Sequence, residues 1–218
     1  MSKVAIITAI YDGYDTLKPT LKQSVDVEWI CVTDDPYLCG EGWTTIYEPR
    51  PHLHPNRAAK TPKCLPWLYT DAEASIWIDA SYQVKSSHFA DEVIHYADPI
   101  AQFSHPWRQC AYDEAAESVL LPKYADQKSI IDEQAWDLRN VKGHPRNWGL
   151  WATGVIARKH DRWVIQAGFE WLNEIYMYSY QDQISHPDVM RRNGLRPVNL
   201  PGTHLSNDWL DYQGSGRH

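Results

Sequence analysis

The amino-acid sequence predicts an α/β fold: a single domain on a Rossmann-like, mostly parallel sheet with helices on both faces. Three observations lead there. Short apolar runs of strand length recur at 4–10, 28–33, 43–47, 74–78, 100–103 and 149–157. Stretches with helical spacing lie between and after them, and strands alternating with helices build an open, largely parallel sheet. The chain has 218 residues, close to the usual size of one domain and long enough to bury a core without disulfides or metal.

The first run, at 4–10, is apolar almost throughout and ends at Tyr11-Asp12-Gly13. That suits a strand buried on both faces and followed by a loop. Residues 16–24 are expected to form a short helix. Run 28–33 closes at Asp34-Asp35-Pro36, and run 43–47 is stopped by Pro49 and Pro51. Residues 50–66 are basic and rich in proline, which predicts a loop passing into a helix over 64–69. Run 74–78 delivers Asp79 at its tip. In the second half, helical spacing covers 87–96, 112–121, 126–141, 161–178 and 182–192. The tail after Pro197 reads as polar and irregular, and no internal repeat occurs.

Bulk properties narrow the function classes. Net charge is −7, which argues against non-specific binding to polyanions and disfavours a nucleic-acid partner. Cys31, Cys39, Cys64 and Cys110 form no CxxC pair and no zinc spacing. They read as thiols in a reducing compartment, with a Cys31–Cys39 disulfide as the alternative. The N-terminus has no charged region followed by an apolar core and cleavage site, and no apolar stretch reaches membrane-spanning length. The expected location is the cytoplasm, without membrane association. Eleven tryptophans and thirteen tyrosines stand beside three phenylalanines. Such rings either fill the core or offer faces to a sugar.

In open α/β sheets ligands bind beyond the carboxyl ends of the strands. Thr8, Tyr11 and Asp12 mark the first such end, Asp34 and Asp35 the second, and Asp79 the fourth. Ser75 to Ser81 is the most informative segment: a nearly apolar strand presents a carboxylate, the arrangement that holds a divalent cation against a diphosphate. A strand-end Asp also caps turns, and Ser81 stands where Asp-x-Asp would have its second acid. Arg57, Lys60 and Lys63 are spaced three apart and would share a helix face suited to phosphate, or simply to solvent. His105 and Arg108 follow the strand at 100–103, with Glu114 beyond. Asp182 sits between two helical stretches and suits either a base or an N-cap. The 149–154 stretch, Gly-Leu-Trp-Ala-Thr-Gly, permits close backbone approach by a ligand. No GxGxxG, GxxxxGK[ST] or GxSxG motif is present, which sets aside dinucleotide dehydrogenases, P-loop kinases and α/β-hydrolases.

Five stretches in this order resemble the TOD/MUCI glycosyltransferase-like domain family. They are Thr8 to Asp15, Cys31 to Asp35, Ser75 to Ser81 with the upstream Lys60 and Lys63, His105 to Ala115, and Trp171 to Ser185. The resemblance implies a glycosyltransferase A-type fold, with a donor half at 1–85 and an acceptor half at 86–218. It implies a nucleotide-sugar donor and a divalent metal, Mn²⁺ or Mg²⁺. Thr8, Ala9, Tyr11 and Asp34 would line the nucleoside, and Lys60 and Lys63 would face the diphosphate. Asp79, with Ser81 and a late His204, would hold the metal. His105, Arg108 and Asp182 would lie near the transferred sugar. The chain departs from the family pattern in two places: Gln181 stands where the pattern has Arg before Asp-Gln, and the second acid of Asp-x-Asp is absent.

The expected function is sugar transfer from a nucleotide-sugar to a glycan, protein or small-molecule acceptor. The alternatives are a glycan-acting hydrolase using paired carboxylates such as Glu114 and Asp182, and a non-catalytic carbohydrate-binding module.

Overall fold

The structure is a computed structural model, and it describes residues 3–214. Among the described residues nine strands occur in chain order: β1 (Val4–Ile10), β2 (Val27–Thr33), β3 (Thr44–Tyr47), β4 (Ala74–Ile78), β5 (Tyr82–Val84), β6 (Ile100–Ser104), β7 (Trp151–Lys159), β8 (Val198–Asn199) and β9 (Leu210–Tyr212). Seven helices accompany them: α1 (Pro55–Ala58), α2 (Lys60–Cys64), α3 (Phe89–Tyr96), α4 (Ala111–Ser118), α5 (Lys128–Asn140), α6 (Arg162–Met177) and α7 (Asp182–Arg192).

Seven strands form one sheet in the order β3-β2-β1-β4-β7-β6-β8, and β5 pairs with β9 in a small second sheet. β3, β2, β1 and β4 are mutually parallel. β7 alone runs against its neighbours β4 and β6. The expected mostly parallel sheet with helices on both faces is therefore what the chain forms. Both faces of β1 are buried because its residues alternate between two cores. Ala5 and Ile7 pack with residues of α2, α4, α6 and α7, while Val4 and Ile6 pack with Phe89, Ala90 and Val93 of α3. A side chain buried as fully as Ile6 or Ile7 contributes about 1.5–3 kcal/mol relative to exposure.

Three expectations need correction. No helix forms over 16–24. Pro19 lacks a helical N–H, and nearby carbonyls find side-chain donors instead: Trp43 Nε1 donates to the Lys18 carbonyl at 2.8 Å and Gln23 Nε2 to that of Leu21 at 3.0 Å. The helix expected over 64–69 lies earlier, as α1 and α2. Pro55 opens α1 with His54 Nδ1 accepting from the Asn56 N–H, and Pro66 leaves only a single 3-10 turn after α2. The described part of the tail, up to residue 214, carries regular structure rather than none, because Trp209 and Leu210 are buried where β9 pairs with β5. All four cysteines are free thiols. Among the described residues no helix is long and apolar enough to cross a membrane.

Helix α6 packs so closely on α2 that Gly168 has no room for a Cβ. Such an atom would lie 2.5 Å from the Cys64 carbonyl oxygen and closer still to the Trp67 ring. Gly168→Ala should therefore destabilise the protein by about 1–3 kcal/mol in urea unfolding, although alanine is favoured by about 1 kcal/mol in an open helix. An unchanged or raised midpoint would show that α2 and α6 are not held at this separation.

Candidate active site

The strand order reverses direction between β1 and β4, the place where open α/β sheets bind ligands. Asp79 lies there, directly after β4. Its N–H donates to the Gly154 carbonyl at 2.8 Å, and its carbonyl accepts from the Tyr82 N–H at 3.0 Å. Oδ1 accepts from Trp77 Nε1 at 2.7 Å and faces Lys63 Nζ at 3.5 Å. The side chain is 43% exposed. Gly154 leaves space here, since a Cβ would sit 2.9 Å from the Tyr82 ring and 3.1 Å from Asp79 Oδ2. The carboxylate is anchored through one oxygen and open on the other.

Behind Asp79 lies a buried ion cluster. Asp182, the first residue of α7, receives Lys60 Nζ at 2.8 Å and Lys63 Nζ at 2.7 Å on Oδ2, and Thr153 Oγ1 donates to Oδ1 at 2.7 Å. Burial alone would raise the Asp182 carboxyl, but Lys60 and Lys63 outweigh it and hold it well below the usual carboxylate range. Burial alone would lower Lys63, and Asp182 and Asp79 keep it charged instead. The helix start adds a favourable dipole. Both oxygens of Asp182 are occupied, so the group is a fixed charge. The basic stripe read from sequence is real as a spacing but faces inward. Arg57, its third member, donates to the carbonyls of Ile175, Tyr176 and Tyr178 and so caps the end of α6.

A second cluster surrounds Glu114 on α4. Arg108 Nε donates to Oε2 at 2.6 Å and Gln181 Nε2 to Oε1 at 2.7 Å. Gln181, which departs from the family pattern, is a neutral donor to Glu114. His105 Nδ1 accepts from the Arg108 N–H at 3.1 Å, so its proton sits on Nε2, 3.6 Å from Glu114. Burial and the Arg108 charge lower His105 to about 4, which keeps it neutral. In this tautomer the ring has no free lone pair. Trp107, 69% exposed, stands edge-on to both His105 and His204.

The residues expected around the nucleoside divide. Thr8 is buried within β1 and its Oγ1 has no partner. Ala9 packs on the core, and Tyr11 is buried with its hydroxyl donating to the Glu48 carbonyl at 3.2 Å. Asp34 reaches the crevice, accepting from the Asp12 N–H at 3.1 Å in a turn where Asp12 has φ +56°. Ser81 follows Asp79, and its carbonyl accepts from Gln213.

Sequence reading missed Lys123, which carries no motif. The residue is exposed at the start of a turn. Its ammonium makes no ion pair among the described residues, yet lies within electrostatic reach of Glu114, Lys60, Asp79 and Asp182.

A resident divalent ion does not fit this donor set. Among the described residues no three His, Cys, Asp or Glu side chains gather as a cation site. Asp79 and His204 feel one another electrostatically, and His204 Nδ1 has no partner. Of the Asp79 carboxylate, Oδ1 already accepts from Trp77 and faces the Lys63 ammonium, so an ion held by Asp79 and His204 would sit beside a fixed positive charge. A cavity of about 520 Å³ opens at the opposite end of the central strands, beside Val4, Ala74, Ala90, Ile94, Lys159 and His160, away from all of these groups.

The sequence profile of the TOD1/MUCI70 glycosyltransferase-like domain matches residues 32–200. The chain belongs to the TOD1/MUCI70 family. Curated proteins compared with it gave no match. Among solved structures, the apo form of the WbbM bifunctional glycosyltransferase is similar, with a TM-score of 0.53 over 92% of this chain at 12% identity. The chain spans 39% of that WbbM chain. That likeness gives this TOD1/MUCI70 domain a glycosyltransferase A-type fold, and Asp79, Asp182, His105 and Glu114 all lie within the matched span.

Two outcomes follow from the charges. Lys63→Met leaves Asp182 with Lys60 as its one ammonium partner and should cost about 1.5–3 kcal/mol in chemical denaturation; a loss below about 0.5 kcal/mol would mean the pair is not buried as described. His105 and His160 are lowered to about 4 and His186 to about 3, mainly by burial, from an ordinary 6.5. The unfolded chain therefore takes up these protons first. Stability should be full above about 6.5 and fall as pH drops toward 4. A melting temperature that stays flat across that window would contradict the assignment.

Proposed function

We propose that this chain transfers a sugar from a nucleotide-sugar donor to a glycan, protein or small-molecule acceptor. The observation that carries the reading is Asp79: a half-exposed carboxylate at the switch point of a glycosyltransferase A-type sheet, backed by buried ammonium groups. Residues 1–85 hold the donor, and residues 86–218 shape the acceptor side. Asp34 and the turn at Asp12 receive the nucleoside. Asp79 meets the donor sugar, oriented by Trp77 and by the Gly154 carbonyl. Lys60, Lys63 and Asp182 position that carboxylate. Arg108, held by Glu114, faces the transferred group with neutral His105 beside it.

The chemistry asked of these residues is orientation and charge stabilisation as the diphosphate leaves. A hydrolase would use two carboxylates flanking the scissile bond. Glu114 and Asp182 are both buried and fully paired, which lends that alternative no support.

Incubation with a panel of UDP- and GDP-sugars should release nucleoside diphosphate, and Asp79→Asn should reduce that release by about a hundredfold or more with the melting temperature little changed. Full turnover by a folded Asp79→Asn variant would overturn the assignment of this site.

A further inference from the structure

We propose that the site binds the donor's diphosphate without a divalent cation, and that the Lys123 ammonium is the cation that contacts it. The inference rests on the transferase reading above and names the chemistry of its phosphate subsite.

The charge at the site is already provided by side chains. Lys60, Lys63, Arg108 and Lys123 gather with Asp79, Glu114 and Asp182, four cations against three acids. His105 and His204 add none, since burial lowers both. The chain as a whole carries −7, so a local excess of positive charge is a feature of this place and not of the surface generally. A diphosphate brings several negative charges and needs such an excess.

Three of the four cations are spent. Lys60 and Lys63 are on Asp182, and Arg108 is on Glu114. Lys123 is the one without an ion pair among the described residues. It is held where it is by its own surroundings. Its carbonyl accepts from the Tyr180 hydroxyl at 3.1 Å, and its ammonium lies 5.2 Å from the centre of the Tyr124 ring. Although the residue is exposed, its ammonium is screened enough for burial to lower its pKa, with Lys60 adding repulsion. Such a group gains most from an arriving anion. The Tyr180 hydroxyl ties this turn to the residue just before Gln181 and Asp182, and the ammonium lies within electrostatic reach of Glu114, Asp79 and Asp182.

A metal has the opposite prospects. Asp79 Oδ1 is taken by Trp77 and Lys63, which leaves Oδ2 and the imidazole of His204. An ion bound there would be repelled by Lys63, whose ammonium is 3.5 Å from the same carboxylate. Ser81 removes the second acid that would offset this.

The test is isothermal titration of the full chain with UDP, GDP, ADP and CDP, once in excess EDTA and once in Mn²⁺. We expect at least one nucleotide to bind in EDTA with an affinity that Mn²⁺ does not improve. Lys123→Ala should weaken it by about tenfold or more, and Lys123→Arg should restore most of it. Lys123 is exposed, so both variants should fold. Binding seen only with Mn²⁺ would overturn the inference while leaving the transferase reading intact. Wild-type affinity in Lys123→Ala would overturn the assignment of Lys123. Indifference to every nucleotide in both buffers would overturn the transferase reading and this inference with it.

Discussion

Asp182 is a carboxylate shut away from water, and two ammonium groups from α2 make that arrangement tolerable. Burying an unpaired acid costs several kcal/mol, so the cluster forms as a unit or not at all. Lys60 and Lys63 are three apart and share one helix face, which lets both reach the same oxygen. Thr153 brings β7 into the cluster, and Lys63 extends it to Asp79. The end of β4, the start of β7, α2 and the start of α7 are thereby tied at one point. Arg57 on the end of α6 and the missing side chain of Gly168 hold α2 and α6 together from behind.

This arrangement divides the acids into two kinds. Asp182 and Glu114 are neutralised inside and keep a shape. Asp79 keeps one oxygen for its anchor, packs the other against Gly154, and stays half-exposed. Only the second kind is available to a substrate. The fold shared with WbbM at 12% identity leaves the substrate to the residues themselves.

The sheet was largely legible because its signal is local. β1, β4 and β7 are apolar runs ended by polar residues, and Asp79 could be placed at a strand tip from that alone. The small-residue stretch around Gly154 suggested close approach by a ligand, and in the fold it is Tyr82 and Asp79 that pack against that glycine. What escaped depends on distant partners. The Lys60–Lys63 spacing was read correctly, but its direction depends on Asp182, far along the chain. Thr8 looked like a strand-end ligand, yet its register buries it between neighbouring strands. The helix over 16–24 failed because Pro19 and its neighbours found partners outside any helix. Lys123 had no motif, since its significance lies only in where the 3-10 turn puts its side chain.

The central claim is that a nucleotide binds at the switch point between β1 and β4, and hydrogen–deuterium exchange with and without a saturating nucleoside diphosphate tests it most directly. The account predicts slowed exchange over 11–15, 34–35 and 79–82. Protection confined instead to 73–74, 90–94 and 159–161, around the cavity at the opposite end of the central strands, would contradict it.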